Sequence, residues 1–239
     1  MILRVLSADL LKIRRKGVWF LVLLGSLGLI ALQALNFGLR YDYLVGHQYK
    51  EDVWGGLASQ IFDFVPIALV LGATLIASQI ANVEHLNNSW KQLLALPISR
   101  AAVFTSKYLV GVIALTVACV LLFAGTIGLG LILGFSAGDI PYLKLLKLSF
   151  LPFLGALPML ALQLYLSLTF KNQALPIMIG ITAAIATMFA GNYPEFLPLA
   201  WPMLAYYDAK PAMPVASGII LFILIYLIGT GHFVRKDVD

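Results

Sequence analysis

The feature that most limits what this chain can become is the recurrence of uncharged apolar stretches long enough to cross a lipid bilayer. A helix needs roughly 17–25 mostly apolar residues to do so. Six stretches qualify: 17–37, 61–83, 108–133, 145–170, 174–191 and 215–233. In lipid, backbone polar groups must be paired within the segment, so such stretches insert as helices. Composition agrees, with 61% hydrophobic and 11% charged residues against about 25% charged in soluble domains. A soluble enzyme is excluded. The chain reads as an all-α integral membrane protein, a single transmembrane domain over 1–239 with six membrane-crossing helices. Pro152 and Pro158 predict a kink in the fourth. The first stretch follows sixteen residues without a small-residue cleavage site, which predicts a retained span and not a signal peptide. Cys119, the single cysteine, has no internal disulfide partner.

Six spans place both termini on one side, and basic residues choose the side. With the N-terminus inside, eleven of the sixteen Lys and Arg residues fall on inner segments and five on outer loops. Seven of the eleven acidic residues fall outside. The expectation is therefore N-in and C-in. The net charge of +5 reports orientation, so no nucleic-acid partner is expected. Residues 1–16 form a separate element: Leu3, Leu6, Leu10 and Ile13 recur at helical spacing, with Arg4, Lys12, Arg14, Arg15 and Lys16 around them. That pattern suits a helix lying in the membrane interface; the plainer alternative is a basic flank that only orients the first span. The outer loop 38–60 mixes charges with aromatics, as a surface cap would. The outer segment 192–214, rich in Pro, Trp and Tyr, reads either as one or two short helices dipping into the outer leaflet or as a loop with an aromatic belt.

The chain lacks a chemical engine of its own. Its histidines, His47, His85 and His232, form no His-Glu-x-x-His zinc motif, and no Gly-Lys dipeptide exists to build a phosphate loop. No catalytic residue, metal or cofactor is expected on this chain. Asp63 stands near the outer end of the second span, within reach of water. The polar residues inside the spans are neutral amides, Gln33, Asn36, Gln79 and Gln163, which serve either as helix–helix glue or as a substrate path. Gly125, Gly128, Gly130 and Gly134 stripe the third span, Gly130-x-x-x-Gly134 fitting the close-packing motif; Gly180, Ala184 and Ala186 do the same in the fifth. A bundle so built must receive its energy from elsewhere.

One stretch breaks the apolar pattern: Glu84 to Arg100, EHLNNSWKQLLALPISR. Asn88 or Ser89 suits an N-cap and Pro97 a stop, while Trp90, Leu93 and Leu94 fall on one helical face. Ser99 caps a following helical segment that leads into the third span. With Lys91 and Arg100 at its flanks, the short helix suits two roles: a knob for a partner's groove, or an interfacial helix with Trp90 among the headgroups.

Glu84, Asn88-Ser89-Trp90-Lys91, Leu94, Leu96-Pro97-Ile98-Ser99-Arg100 and Phe104-x-x-Lys107 together resemble the permease subunits of bacterial ABC exporters of the type-2 class, in particular the bacitracin-export and lantibiotic-immunity permeases. Ser89 stands where many of those relatives carry Gly. The resemblance implies that residues 84–106 couple to a cytoplasmic ATPase through Glu84, Asn88, Ser89, Trp90, Lys91, Leu93, Leu94, Pro97 and Arg100. It implies further that residues 1–16 form an elbow helix and that two permease subunits pair, as a homodimer or heterodimer, in the bacterial cytoplasmic membrane. ATP and Mg would sit on the ATPase partner. The expected function is ATP-driven export or removal of an amphipathic cargo such as a peptide antibiotic. Two rivals stand beside it, an ATP-independent channel or secondary transporter, and an antibiotic-sensing membrane subunit.

Overall fold

A computed structural model describes residues 2–14, 16–86, 99–208 and 210–235, and all regular structure among them is helical. Nine helices carry the architecture: α1 (Ile2–Ile13), α2 (Val18–Leu39), α3 (Val53–Phe62), α4 (Val65–Leu86), α5 (Arg100–Ile132), α6 (Tyr142–Thr169), α7 (Ala174–Ala186), α8 (Trp201–Tyr207) and α9 (Ala212–Arg235). Six are long and apolar enough to cross a membrane: α2, α4, α5, α6, α7 with the 3-10 turn that extends it, and α9. Helices α4 and α6 form the centre, each with 61% of its most apolar window buried, while α2 (22%) and α9 (17%) lie at the periphery.

Several boundaries differ from the hydropathy reading. The second span begins at Val65, because 53–62 is a helix of its own. Asp52 starts it, its Oδ1 accepting from the Gly55 N–H at 2.7 Å. Trp54, Leu57, Ala58, Ile61 and Phe62 are buried, so residues 53–62 are a packed part of the bundle, whereas 38–43 and 50–52 are exposed, as a surface cap would be. Charges at Arg40, Asp42, Lys50, Glu51 and Asp52 drew that region toward a loop assignment, although the apolar run had already begun at Val53.

The third span starts earlier than expected. Ser99 does cap a helix, its Oγ accepting from the Ala102 N–H at 3.2 Å, but that helix continues unbroken to Ile132. At 33 residues it is roughly 50 Å long, against a hydrocarbon core of about 30 Å. Gly134 is not a packing residue: at φ +84 it ends this helix in the left-handed region. Gly128 faces open space, whereas a side chain at Gly130 would run into the Trp54 ring.

Helix α6 carries Pro152 and Pro158 without interruption. Pro158 has no N–H to give the Leu154 carbonyl. Gly218 of α9 crosses there, so closely that a Cβ would lie 2.5 Å from Leu154 O. Between 192 and 214 the chain forms one short helix, α8, with Trp201 and Ala205 buried. It packs on α6 where Gly155 leaves room; a Cβ there would meet Trp201 O at 2.6 Å.

Candidate functional site

Helices α1, α4 and α5 meet at the end of the bundle that holds both termini, and four charged side chains meet with them. Lys107 of α5 is at the centre, its Nζ donating to Glu84 Oε1 at 2.6 Å and to Asp9 Oδ1 at 2.7 Å. Asp9 Oδ2 accepts from Ser106 Oγ at 2.6 Å. Glu84 Oε1 also accepts from Lys12 Nζ at 3.1 Å. The side chains of Lys107, Asp9 and Glu84 are 3%, 4% and 0% exposed, that of Lys12 38%. Two carboxylates and two ammonium groups balance in charge, as burial in a low-dielectric setting demands.

Each partner arrives for a local reason. Helix α1 buries the face that carries Asp9 and Ile13 and exposes Leu3 and Leu11. The stripe read from sequence is therefore rotated toward the carboxylate. Glu84 lies on the last turn of α4, and Ser106 and Lys107 lie on the second turn of α5, so the two spans that flank 87–98 are clamped together just where they leave that segment. Around the clamp, His85 Nε2 donates to Ser167 O at 3.0 Å, joining α4 to α6. Arg100 Nη1 donates to Val234 O at 3.3 Å, joining α5 to α9. Phe104 stacks with Phe233 at 5.2 Å between ring centroids, and Thr105 Oγ1 lies 2.6 Å from the Tyr226 hydroxyl.

Of the coupling residues expected from sequence, Glu84 lies in the clamp and Arg100 at its edge. Asn88, Ser89, Trp90, Lys91, Leu93, Leu94 and Pro97 lie outside the described residues, as does Arg15 of the basic N-terminal set. Arg4, Arg14 and Lys16 are exposed, and Lys12 reaches Glu84. Asp9, Ser106 and Lys107 were not singled out as site residues. The usable signal for Asp9 was an acidic residue on an apolar helical stripe, three positions after Leu6 and four before Ile13. Lys107, though part of the quoted motif, falls among the loop charges by hydropathy, because the apolar run of the third span begins one residue later.

The neutral amides are spread over three places. Gln33 is buried, its Nε2 donating to Gln60 O at 2.8 Å and its Oε1 accepting from Asn36 Nδ2 at 3.1 Å. Gln60 continues the chain to the Tyr49 hydroxyl at 3.1 Å. This network ties α2 to α3. Gln163, with its amide turned to satisfy both ends, donates to Pro176 O at 3.1 Å and accepts from the Gly180 N–H at 3.2 Å, tying α6 to α7. Gln79 is half-buried without a side-chain hydrogen bond among the described residues. Gln33, Asn36 and Gln163 thus hold helices together.

Among the described residues no group of three or more His, Cys, Asp or Glu side chains gathers in a form that could hold a metal. An apolar cleft lies between α2, α4 and α5, lined by Leu21, Gly25, Leu69, Gly72, Leu115 and Leu122 among others. Residues 5–187 match the family described as ABC-2 family transporter protein. No curated protein matches the chain.

Proposed function

The chain belongs to the ABC-2 family of transporter proteins; as the membrane permease component of an ABC transporter, it works, we propose, by carrying the stroke of a separate ATPase through residues 84–106 into its spans. The buried clamp carries this reading. Glu84 and Lys107 bracket 87–98, and their direct bond, extended to Asp9, makes the end of α4, the start of α5 and the elbow helix α1 move as one body. Helix α5 then acts as a stiff rod, unbroken from Arg100 to Ile132. The segment that carries Trp90 is the contact that an ATPase groove receives, with the tryptophan as its anchor.

The cargo is an amphipathic molecule taken from the membrane, of the bacitracin or lantibiotic type, and two copies of the chain, alike or related, enclose its route in the bacterial cytoplasmic membrane. Two features support this: the apolar cleft between α2, α4 and α5, and the pairing of Asp9, Glu84 and Lys107, the buried charges among the described residues, within the clamp. Cells carrying the chain and its ATPase should tolerate such peptides better than cells lacking either; equal tolerance would remove the cargo assignment.

Coupling is tested separately. Trp90→Ala removes an anchor worth on the order of 2 kcal/mol or more at a hot spot, so the ATPase should co-purify poorly while the six spans still insert. Undiminished co-purification would return the helix to a lipid-facing role.

A further inference from the structure

Helix α4 lies at the centre of the bundle, yet one stripe of it stays partly open. Ala68, Leu71, Gly72, Leu75, Gln79 and Asn82 are half-buried and fall along one side of the helix, while most of its other positions are buried. On one flank of the stripe lies the cleft toward α2 and α5, whose wall includes Ala68 and Gly72. On the other flank, Gly180 of α7 packs on Thr74.

The two ends of this stripe differ in chemistry. Toward Val65 it adjoins the apolar cleft, which runs from Val65 to Ile76, roughly 17 Å along α4. The one hydroxyl in the cleft wall, Ser26 Oγ, donates to Val22 O at 2.8 Å and has no proton left for a ligand. Gly25 and Gly72 open the wall: a Cβ at Gly25 would meet nothing within 4 Å, and one at Gly72 only Leu115 Cδ2 at 3.7 Å. Toward the clamp the stripe turns polar. Gln79 lies three residues from Ile76 and seven from Gly72, hence on the face that lines the cleft. Helical side chains lean toward the N-terminus of their helix, which carries the Gln79 amide up to the cleft. Neither Gln79 nor Asn82 makes a side-chain hydrogen bond among the described residues. Both lie within the span Val65–His85, where hydrocarbon offers an unpaired amide no partner.

An apolar groove that ends in two unpaired amides matches a ligand built of the same two parts. A side-chain amide both donates and accepts, as an amide in the ligand does. No charged residue lines the cleft or stands on the stripe, so a charged group at that point of the ligand would lack a counter-ion. We propose that this face of α4 binds an acyl amide, its alkyl chain lying in the cleft and its amide on Gln79 and Asn82. The inference rests on the cleft as the place where cargo is taken from the membrane, and it narrows that cargo to molecules with an acyl-amide group, such as an N-acylated peptide. Its test uses neither ATPase nor antibiotic, so either reading can fail alone.

The probe is dodecanamide with a photoreactive diazirine in its chain, irradiated with the full chain in phosphatidylglycerol nanodiscs and located by mass spectrometry. Dodecane with the same diazirine is the control. The amide probe should label the cleft residues of α2, α4 and α5, and excess dodecanamide without diazirine should compete. Gly72→Leu puts a side chain into the cleft and should cut labelling at least about fivefold, as exclusion of several methylenes requires. Gly25→Leu fills the cleft from α2 and stands in where the first variant does not fold. Gln79→Leu should weaken amide labelling at least about threefold and leave dodecane labelling within about twofold, a split that lost packing would not produce. Labelling that does not saturate, or that persists unchanged in folded Gly72→Leu or Gly25→Leu protein, overturns the proposal. So does an equal fall for both probes in Gln79→Leu. Disulfide cross-linking between Gln79→Cys chains, without saturable labelling, would assign the stripe to a second copy instead.

Discussion

Lys107 carries a heavy demand, because two buried carboxylates share its one ammonium group. Removing one member of a buried ionic group strands the others away from water, at a cost of about 3–5 kcal/mol. Lys107→Met should therefore lower the unfolding midpoint of the detergent-solubilised chain strongly. In the double variant with Asp9→Asn, the neutral amide keeps Ser106 as a partner and Glu84 keeps Lys12, so the double variant should be more stable than Lys107→Met alone, a non-additivity expected only of groups in contact. Equal midpoints for wild type and Lys107→Met would show that the clamp contributes nothing to folding. Glu84 was legible at the sequence level through its place in a motif. Lys107 stands in the same motif without a role attached, and its pairing with Asp9 was not legible, because hydropathy reports whether a charge interrupts an apolar run and not whether two interruptions 98 residues apart meet.

Among whole helices, close approach is set by glycines whose neighbours differ in kind. A Cβ at Gly218 would meet the backbone carbonyl of Leu154, whereas at Gly180 it would meet the Thr74 side chain. Overpacking of this sort costs about 1–3 kcal/mol, more than the roughly 1 kcal/mol that Ala gains over Gly in a helix. Gly218→Ala and Gly180→Ala should both lower the unfolding midpoint, but only the second should be partly rescued, by Thr74→Ala. Rescue of Gly218→Ala by trimming side chains around Leu154 would refute the backbone contact. The existence of the six spans was readable because about 20 apolar residues have few other fates. Helix α3 was not, since ten residues are too few to cross a membrane and their charged approach resembles a loop. Neither was the role of Gly134: spacing alone matches a packing motif, while the backbone uses the residue to end α5.

For the molecule as a whole, the two ends have different chemistry, and this fixes how it must sit in the membrane if an ATPase is to drive it. The clamp, the end of α9 and the flanks of 87–98 share one end, and the sequence reading assigns eleven of the sixteen basic residues to segments of that side. The other end holds α3 and α8, with Phe62 stacked on Tyr206 between them. Positive segments stay in the cytoplasm, so the clamp end should face inward, with peripheral α2 and α9 left for lipid or a second permease. Cysteine labelling can decide this with little background, because the native Cys119 is buried. Lys50→Cys, on the exposed outer segment, should react with a membrane-impermeant maleimide in intact cells. Lys16→Cys, exposed beside α1, should react only after permeabilisation. The reverse pattern would put Glu84, Lys107 and segment 87–98 outside the cell, where no cytoplasmic ATPase could push on them, and the clamp would then have to be explained as packing alone.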